Sequence, residues 1–298
     1  MKRLLFYLII STTCILVSQD TFSIVAVNPA TGEVGSAGAS CIAGSIIISD
    51  IHPGVGAIHT QFYWNQSNQD SASSLMDLGY SPEEIIDWLI ENDAQNNPSI
   101  RQYGIIDLID DGRSAGFTGE NCFDYKNHIL GQSYAIQGNI LLGQEILDSM
   151  EIAFISTYGT LDEKLIAALL AANVPGADTR CLPYGTPALS AFIRMAKSED
   201  ENDSFFMDIN VQSCPTNLSP IDSLFTLYWD WKSSQTMMGD INFDRKIDIH
   251  DLMIMADFMG GNGIPSELEI EVGDLNGDGS IGLMDIYLML HEIIGIIG

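Results

Sequence analysis

The chain has 298 residues, with 12 Lys and Arg against 40 Asp and Glu, a formal net charge of −28. A surface this acidic repels phosphate backbones and anionic membranes, which argues against a nucleic-acid or membrane-surface partner. Hydrophobic residues make up 46% and charged residues 17%, which excludes global disorder and leaves length for one or two domains with real cores.

Met1-Lys2-Arg3 is a short basic start, and residues 4–17 are almost wholly apolar. That run is too short to span a bilayer and reads as a signal-peptide core, so residues 1–18 are expected to be removed and the protein secreted. A cut after Ser18 leaves Gln19-Asp20 ahead of Thr21. Cys14 departs with the signal. Cys41, Cys122, Cys181 and Cys214 remain, an even number in an oxidising compartment. Four cysteines allow three pairings, and the sequence does not choose among them or against four free thiols.

Residues 21–28 (TFSIVAVN) alternate and read as a strand, Pro29-Ala30-Thr31-Gly32 as a turn, and residues 33–40 (EVGSAGAS) as the returning strand. Residues 46–49 and 54–61 are further strands. Ser81-Pro82-Glu83-Glu84 starts a helix, with Ser as N-cap, Pro at the first position and Glu at the third. Residues 101–109 and 114–118 form a hairpin around Asp110-Asp111-Gly112-Arg113. Residues 132–137 are a short strand. Gly138-Asn139 opens a helix through about Thr157, and residues 161–172 form a second. Residues 188–197 and 204–212 are an antiparallel pair about a solvated turn, and residues 220–231 an amphipathic helix. Helices packed on mostly antiparallel sheets are the expected α+β outcome.

Residues 237–298 carry 12 acids against 2 bases and repeat with a period of 34 residues. The first loop places oxygen side chains at Asp240, Asn242, Asp244 and Asp251, with Asp248 between and the carbonyl of Lys246 at position 7. The second places Asp274, Asn276, Asp278 and Asp285 at the same positions, with Ser280 at position 7. This spacing wraps a 12-residue loop about a hard cation, so two Ca²⁺ sites are expected. Position 12 is Asp, where an EF-hand has Glu. Arg245 stands at the position 6 usually held by Gly, which strains the first loop. Ile247 and Ile281 sit where two loops can bridge by a short strand pair. An apolar helix follows each loop, at about residues 251–259 and 285–294, and no convincing helix precedes either.

The loop–helix repeat closely resembles a type I dockerin. That resemblance implies two bound Ca²⁺ and docking onto a cohesin-bearing partner protein. Positions 10 and 11 hold Ile249-His250 and Leu283-Met284, not the Ser-Thr type often found there.

Ahead of it lie further blocks. Residues 21–26, Gly32-Glu33-Val34-Gly35 and residues 54–61 (GVGAIHTQ) come first. Phe117-Thr118-Gly119, residues 134–141 (YAIQGNIL), Asp178-Thr179-Arg180 and residues 220–224 (PIDSL) follow. Together they resemble the family called domain of unknown function 1028, over residues 21 to about 231. The resemblance implies a four-layer αββα Ntn-hydrolase-like sandwich at residues 21–232, followed by the dockerin-like domain at 237–298. In that class the first residue is nucleophile and its own α-amino group the base. Thr21 then takes the nucleophile's role, Asn139 offers a donor to the oxyanion, and Asp178 and Arg180 hold the amine's protonation state. Each also has a plainer role: Thr21 as a strand's first residue, Asn139 as a helix cap, Asp178 and Arg180 as a surface pair.

The resulting expectation is a secreted amidohydrolase tethered by a dockerin. The alternatives are a catalytically silent binding module on the same tether, or a glycoside hydrolase, for which no carboxylate pair can be assigned. A Ser-His-Asp triad is possible among the few histidines, but no spacing marks one.

Overall fold

The computed structural model describes residues 21–295 except 203, 235, 236 and 245. Residues 1–18, expected to be a signal segment, lie outside those residues, as do Gln19-Asp20 and Arg245.

Ten strands form two antiparallel sheets. The six-stranded sheet has the order β10-β9-β2-β1-β8-β7. It is built from β1 (Thr21–Asn28), β2 (Glu33–Ser40), β7 (Asn127–Gly131), β8 (Tyr134–Gly138), β9 (Ser190–Ala196) and β10 (Met207–Val211). The four-stranded sheet runs β3 (Ser49–His52), β4 (Gly56–Gln61), β5 (Gln102–Asp107), β6 (Arg113–Thr118). Helices α1 (Gln66–Asp77) and α2 (Pro82–Glu91) cover the smaller sheet through Ile58, Met76, Ile85, Leu89 and Ile105. Helices α3 (Gln144–Ser156), α4 (Leu161–Ala171) and α5 (Pro220–Ser234) cover the larger one through Ile24, Leu147, Leu165, Leu169 and Leu224. The remaining faces of the two sheets meet each other over Val25, Val27, Val34, Ile51, Ala57 and Ile106.

Strand alternation explains this layering. On β1, Phe22, Ile24 and Ala26 face the helices, so Thr21, Ser23, Val25 and Val27 face the opposing sheet. That inner layer is apolar at one end of β1 and polar at the other. Cys41 and Cys181 form a disulfide with Cα atoms 5.6 Å apart.

The helix expected to open at Asn139 begins at Gln144 behind Gly143, so Asn139 is not its cap. Residues 46–48 form no strand. Ser45–Ile48 is a 3-10 turn and the strand begins at Ser49. Helix α1 and strand β7 were not anticipated. Helix α2 has the expected capping box, with Ser81 and Glu84 exchanging bonds.

The C-terminal part contains α6 (Ile249–Gly260), α7 (Glu267–Gly273) and α8 (Leu283–Ile293) around Ile241, Phe243, Met255, Leu268, Val272 and Met289. Helix α7 precedes the second loop, where none was expected. Among the described residues no strand pair joins the loops; Ile247 and Ile281 pack against the core instead. No helix among the described residues is long and apolar enough to cross a membrane.

Candidate functional site

Thr21 is fully buried at the polar end of the inter-sheet layer. Its Oγ1 donates to Gln61 Oε1 at 2.6 Å, and Ser23 Oγ donates to the same oxygen at 2.7 Å. Gln61 Nε2 donates to Gln102 Oε1 at 2.7 Å. The backbone N–H of Asn139 donates to the Thr21 carbonyl at 3.1 Å, and Asn139 Nδ2 donates to Gln102 Oε1 at 2.8 Å. Asn139 Oδ1 is buried without a hydrogen-bond partner. A buried polar atom left unsatisfied is costly and usually has a functional or solvent explanation.

Asp178 and Arg180 flank the same end. Asp178 is fully buried and pairs with Arg180 through Nη2 at 2.6 Å and Nε at 3.0 Å. It also accepts from the Cys41 N–H at 2.9 Å. Arg180 Nη2 reaches Ser40 Oγ at 3.4 Å, and Ser40 is the cross-strand neighbour of Thr21. Thr21 and Asn139 are therefore in direct contact, while the Asp178–Arg180 pair stands one residue away across β2. The disulfide ties β2 to the 3-10 turn Thr179–Tyr184 that begins just after Asp178.

Backbone strain gathers here. Phe62 (φ 51°) and Tyr63 (φ 45°) directly follow Gln61, and Ile140 (φ 54°) directly follows Asn139. A left-handed β-branched residue is an outlier, and such strain persists only where the surroundings over-determine it. Arg101 helps do so. It is buried, bonds the Tyr63 carbonyl, and is ion-paired to Asp93 at 2.7 Å.

Deeper in the layer, His59 joins three elements. Its Nε2 lies 2.6 Å from Ser36 Oγ, its Nδ1 2.9 Å from Ser23 Oγ, and Gln137 Nε2 lies 3.0 Å from Nδ1. With Gln137 donating to Nδ1, Nε2 carries the ring proton toward Ser36. Burial, with the Arg194 charge nearby, lowers the imidazole pKa to about 3. His59 is thus neutral at physiological pH, and among the described residues its partners are hydroxyls and an amide, so Ser36 and His59 tie the two sheets together. Gly104 makes room for this network, since a Cβ there would lie 1.8 Å from Gln137 Oε1.

The sequence reading missed Gln61, Gln102, Gln137 and His59. The available signal was alternation: His59 and Gln61 share one face of β4, opposite Ile58.

In both C-terminal loops the position-12 carboxylate is fully buried and clamps the backbone at positions 3 and 9. Asp251 accepts from the N–H groups of Asn242 and Asp248 at 3.1 and 2.9 Å. Asp285 accepts from those of Asn276 and Gly282 at 3.0 and 2.8 Å. Asp240 Oδ1 takes the Asp244 N–H at 3.0 Å, and Asp274 takes those of Gly277, Asp278 and Gly279 at 2.7–2.9 Å. Among the described residues no three His, Cys, Asp or Glu side chains close into a cluster. The loops instead mix carboxylate, amide and carbonyl oxygens, the donor set a hard, flexible-geometry cation takes.

The molecule is thus a two-sheet α+β domain with a buried polar end, followed by a pair of acidic twelve-residue loops, each leading into a helix. The chain belongs to the family of unknown function DUF1028, whose model matches residues 21–224, and a type I dockerin domain matches residues 238–294. The crystal structure of a DUF1028 protein from Silicibacter pomeroyi is similar, with 25% identity and a TM-score of 0.58 over 71% of this chain and 88% of that one. No curated protein matches the chain. Type I dockerin domains bind calcium and cohesin-bearing scaffold proteins, which makes this chain a component of a cohesin-dependent complex.

Proposed function

We propose that residues 21–232 form an Ntn-hydrolase-like αββα domain whose Thr21 is the nucleophile of an amide hydrolysis. The dockerin, holding two Ca²⁺, carries that domain to a cohesin-bearing scaffold. The observation that carries this reading is Thr21 at the head of β1, its Oγ1 held by Gln61 in a buried polar layer between the sheets, next to strained backbone. In the proposed step Thr21 Oγ attacks an amide carbonyl. The freed α-amino group, with an unperturbed pKa of about 7.7–8.0, takes the hydroxyl proton and passes it to the leaving amine. Gln61 cannot be the base, because an amide oxygen is far too weakly basic to take a hydroxyl proton, and so it orients Oγ.

Asn139 would turn Nδ2 from Gln102 toward the developing oxyanion. Asp178 and Arg180, bonded to each other, set the β2 end beside Thr21. The mechanism requires removal of everything before Thr21. We propose that residues 1–18 are a signal peptide, that the protein is secreted, and that a further cut frees Thr21. The two metal sites are assigned to Asp240, Asn242, Asp244, Lys246 (carbonyl), Asp248 and Asp251, and to Asp274, Asn276, Asp278, Ser280 (carbonyl) and Asp285.

The test is a panel of amide substrates offered to protein beginning at Thr21 and to protein that keeps Gln19-Asp20. Turnover by the first form alone supports the reading. Equal turnover would eliminate the N-terminal mechanism, and no turnover by either form favours the silent binding module, which the full burial of Thr21 also favours.

A further inference from the structure

Away from Thr21 the fold assembles a second set of reactive side chains. His52 ends β3 and is buried, and its Nδ1 lies 2.7 Å from Asp77 Oδ1. Its Nε2 lies 3.1 Å from Ser73 Oγ. A carboxylate only accepts, so Asp77 fixes the ring proton on Nδ1 and leaves the Nε2 lone pair to receive the Ser73 hydroxyl. Serine, histidine and aspartate thus stand in the order nucleophile, base, orienting carboxylate. Asp50 Oδ2 stands 3.6 Å from Nε2, where it would face an imidazolium.

Local structure aims each group. Ser73 and Asp77 lie one turn apart on α1 and so share a face. Their neighbours Ala72 and Met76 are buried in the core of the smaller sheet, which pins the helix beside β3. Ser71 and Ser74 donate to the carbonyls of Ser67 and Asp70, one turn back, both at 2.8 Å, whereas Ser73 is turned to His52. The His52 backbone pairs with Gly56 on β4, and its carbonyl accepts from the Val55 N–H at 3.0 Å. Burial by itself would lower the imidazole pKa, but the hydrogen bonds and charges of Asp50 and Asp77 outweigh it and raise the pKa above its ordinary value. An imidazolium is therefore well held here, as a base that has just taken a proton must be.

The Thr21 pocket lies elsewhere. Gly56, opposite His52, and Gln61, which bonds Thr21, are the two ends of β4, about 17 Å apart by strand rise.

We propose that Ser73, His52 and Asp77 form a separate acyl-transfer site that cleaves small esters with good leaving groups. Ser73 Oγ bonds to the acyl carbon as its proton passes to His52 Nε2. The imidazolium gives that proton to the departing oxygen, the ester bond breaks, and the alcohol leaves. Water then attacks the acyl carbon while His52 takes its proton. The acyl–Oγ bond breaks, Ser73 recovers a hydrogen from His52, and the carboxylic acid leaves. The leaving-group preference follows from exposure. Ser73 is half-buried and Asp77 is 59% exposed, so a carbonyl placed on Ser73 meets water. Water stabilises an oxyanion less than preorganised donors do, which favours esters that need little such help.

Thr21 takes no part in this chemistry. The test treats the full chain with a fluorophosphonate, which an activated serine attacks with loss of fluoride, and maps the adduct by peptide mass. One adduct is expected, on Ser73, and p-nitrophenyl acetate should be hydrolysed. Ser73→Ala should lose both. His52→Gln should slow both at least 100-fold and Asp77→Asn at least tenfold, since a positioned base contributes on the order of 10²–10⁴ in rate. Thermal melts accompany each variant. Asp77 is exposed, so Asp77→Asn should stay folded even where His52→Gln does not. An adduct on Thr21 alone, no adduct at all, or equal labelling of Ser73 in the parent and Asp77→Asn would each overturn the proposal.

Discussion

Thr21 Oγ1 and Gln61 Oε1 are 2.6 Å apart, and their hydrogen bond joins the first residue of β1 to the last residue of β4 in the opposing sheet. The Thr21 hydroxyl proton is thereby aimed at a neutral acceptor. If Thr21 is the nucleophile, Thr21→Ala should abolish turnover in the form beginning at Thr21, while Thr21→Ser keeps part of it. Gln61→Ala should slow turnover and leave KM nearly unchanged, because it loosens the attacking oxygen and not the substrate. Removing one oxyanion donor with Asn139→Ala should cost on the order of 10²–10³ in rate. Steady-state kinetics beside thermal melts of each variant check this; full activity in Thr21→Ala ends the mechanism.

The disulfide stands next to this site. Cys41 and Cys181 are separated by 140 residues, and their link fixes the turn whose cap, Asp178, bonds the Cys41 N–H. Closing so long a loop restricts the unfolded chain by an amount worth about 3–5 kcal/mol. Cys41→Ser should therefore lower Tm by about 10 °C for a domain of this size. Calorimetry of parent and variant checks the shift.

Local chemistry was legible where it was self-contained. The alternation of TFSIVAVN, the small-residue return strand and the Ser81–Glu84 box all form as their residues dictate. Helix α1 escaped because QSNQDSASSLMD has almost no apolar stripe; its start is set by the Asn65 cap. Asn139 resembled a helix start, but Ile140 turns left-handed and the chain runs four more residues before α3. The apolar run at 46–48 resembled a strand and curls into a 3-10 turn. The polar layer was illegible for another reason. Ser23 meets Gln137 across 114 positions and Thr21 meets Gln61 across 40, pairings that only the stacking of two sheets creates. The repeated acidic loops were legible because the bonds that close them, from Asp251 to Asn242 and Asp248 and from Asp285 to Asn276 and Gly282, all lie within twelve residues.

His59 makes stability sensitive to acid. Folded, the imidazole stays neutral until about pH 3, whereas an unfolded one takes a proton near the ordinary 6.5. Below pH 6.5 the unfolded chain binds more protons, so stability falls as pH falls, and it is unaffected above that value. One such group contributes about 1.4 kcal/mol per pH unit, or roughly 2 kcal/mol between pH 6.5 and 5. Urea unfolding at pH 7, 6 and 5 should show this slope in the parent and a shallower one in His59→Gln. Parallel slopes would mean that His59 takes its proton in the folded state.

The dockerin should depend on calcium for its own fold. Its core is six buried apolar residues, too few to hold a unit of this size firmly without a staple. In each loop one buried carboxylate, Asp251 or Asp285, bonds positions 3 and 9, so the metal that position 12 would hold also sets the loop's closure. A ligand at about 1,000 times its Kd stabilises the folded form by about 4 kcal/mol per site. Calorimetric titration of the full chain should count two Ca²⁺, and one in Asp274→Ala or Asp240→Ala. Chelation should add an early melting transition that calcium abolishes. The two sites should also differ. Loss of the first frees Phe243 and the Asp244 carbonyl from Lys232 and Lys197, loosening the dockerin from its neighbour, while loss of the second acts only within the dockerin. Asp240→Ala should therefore raise proteolytic release of the dockerin more than Asp274→Ala does. Identical melting with and without chelator would remove calcium from the fold.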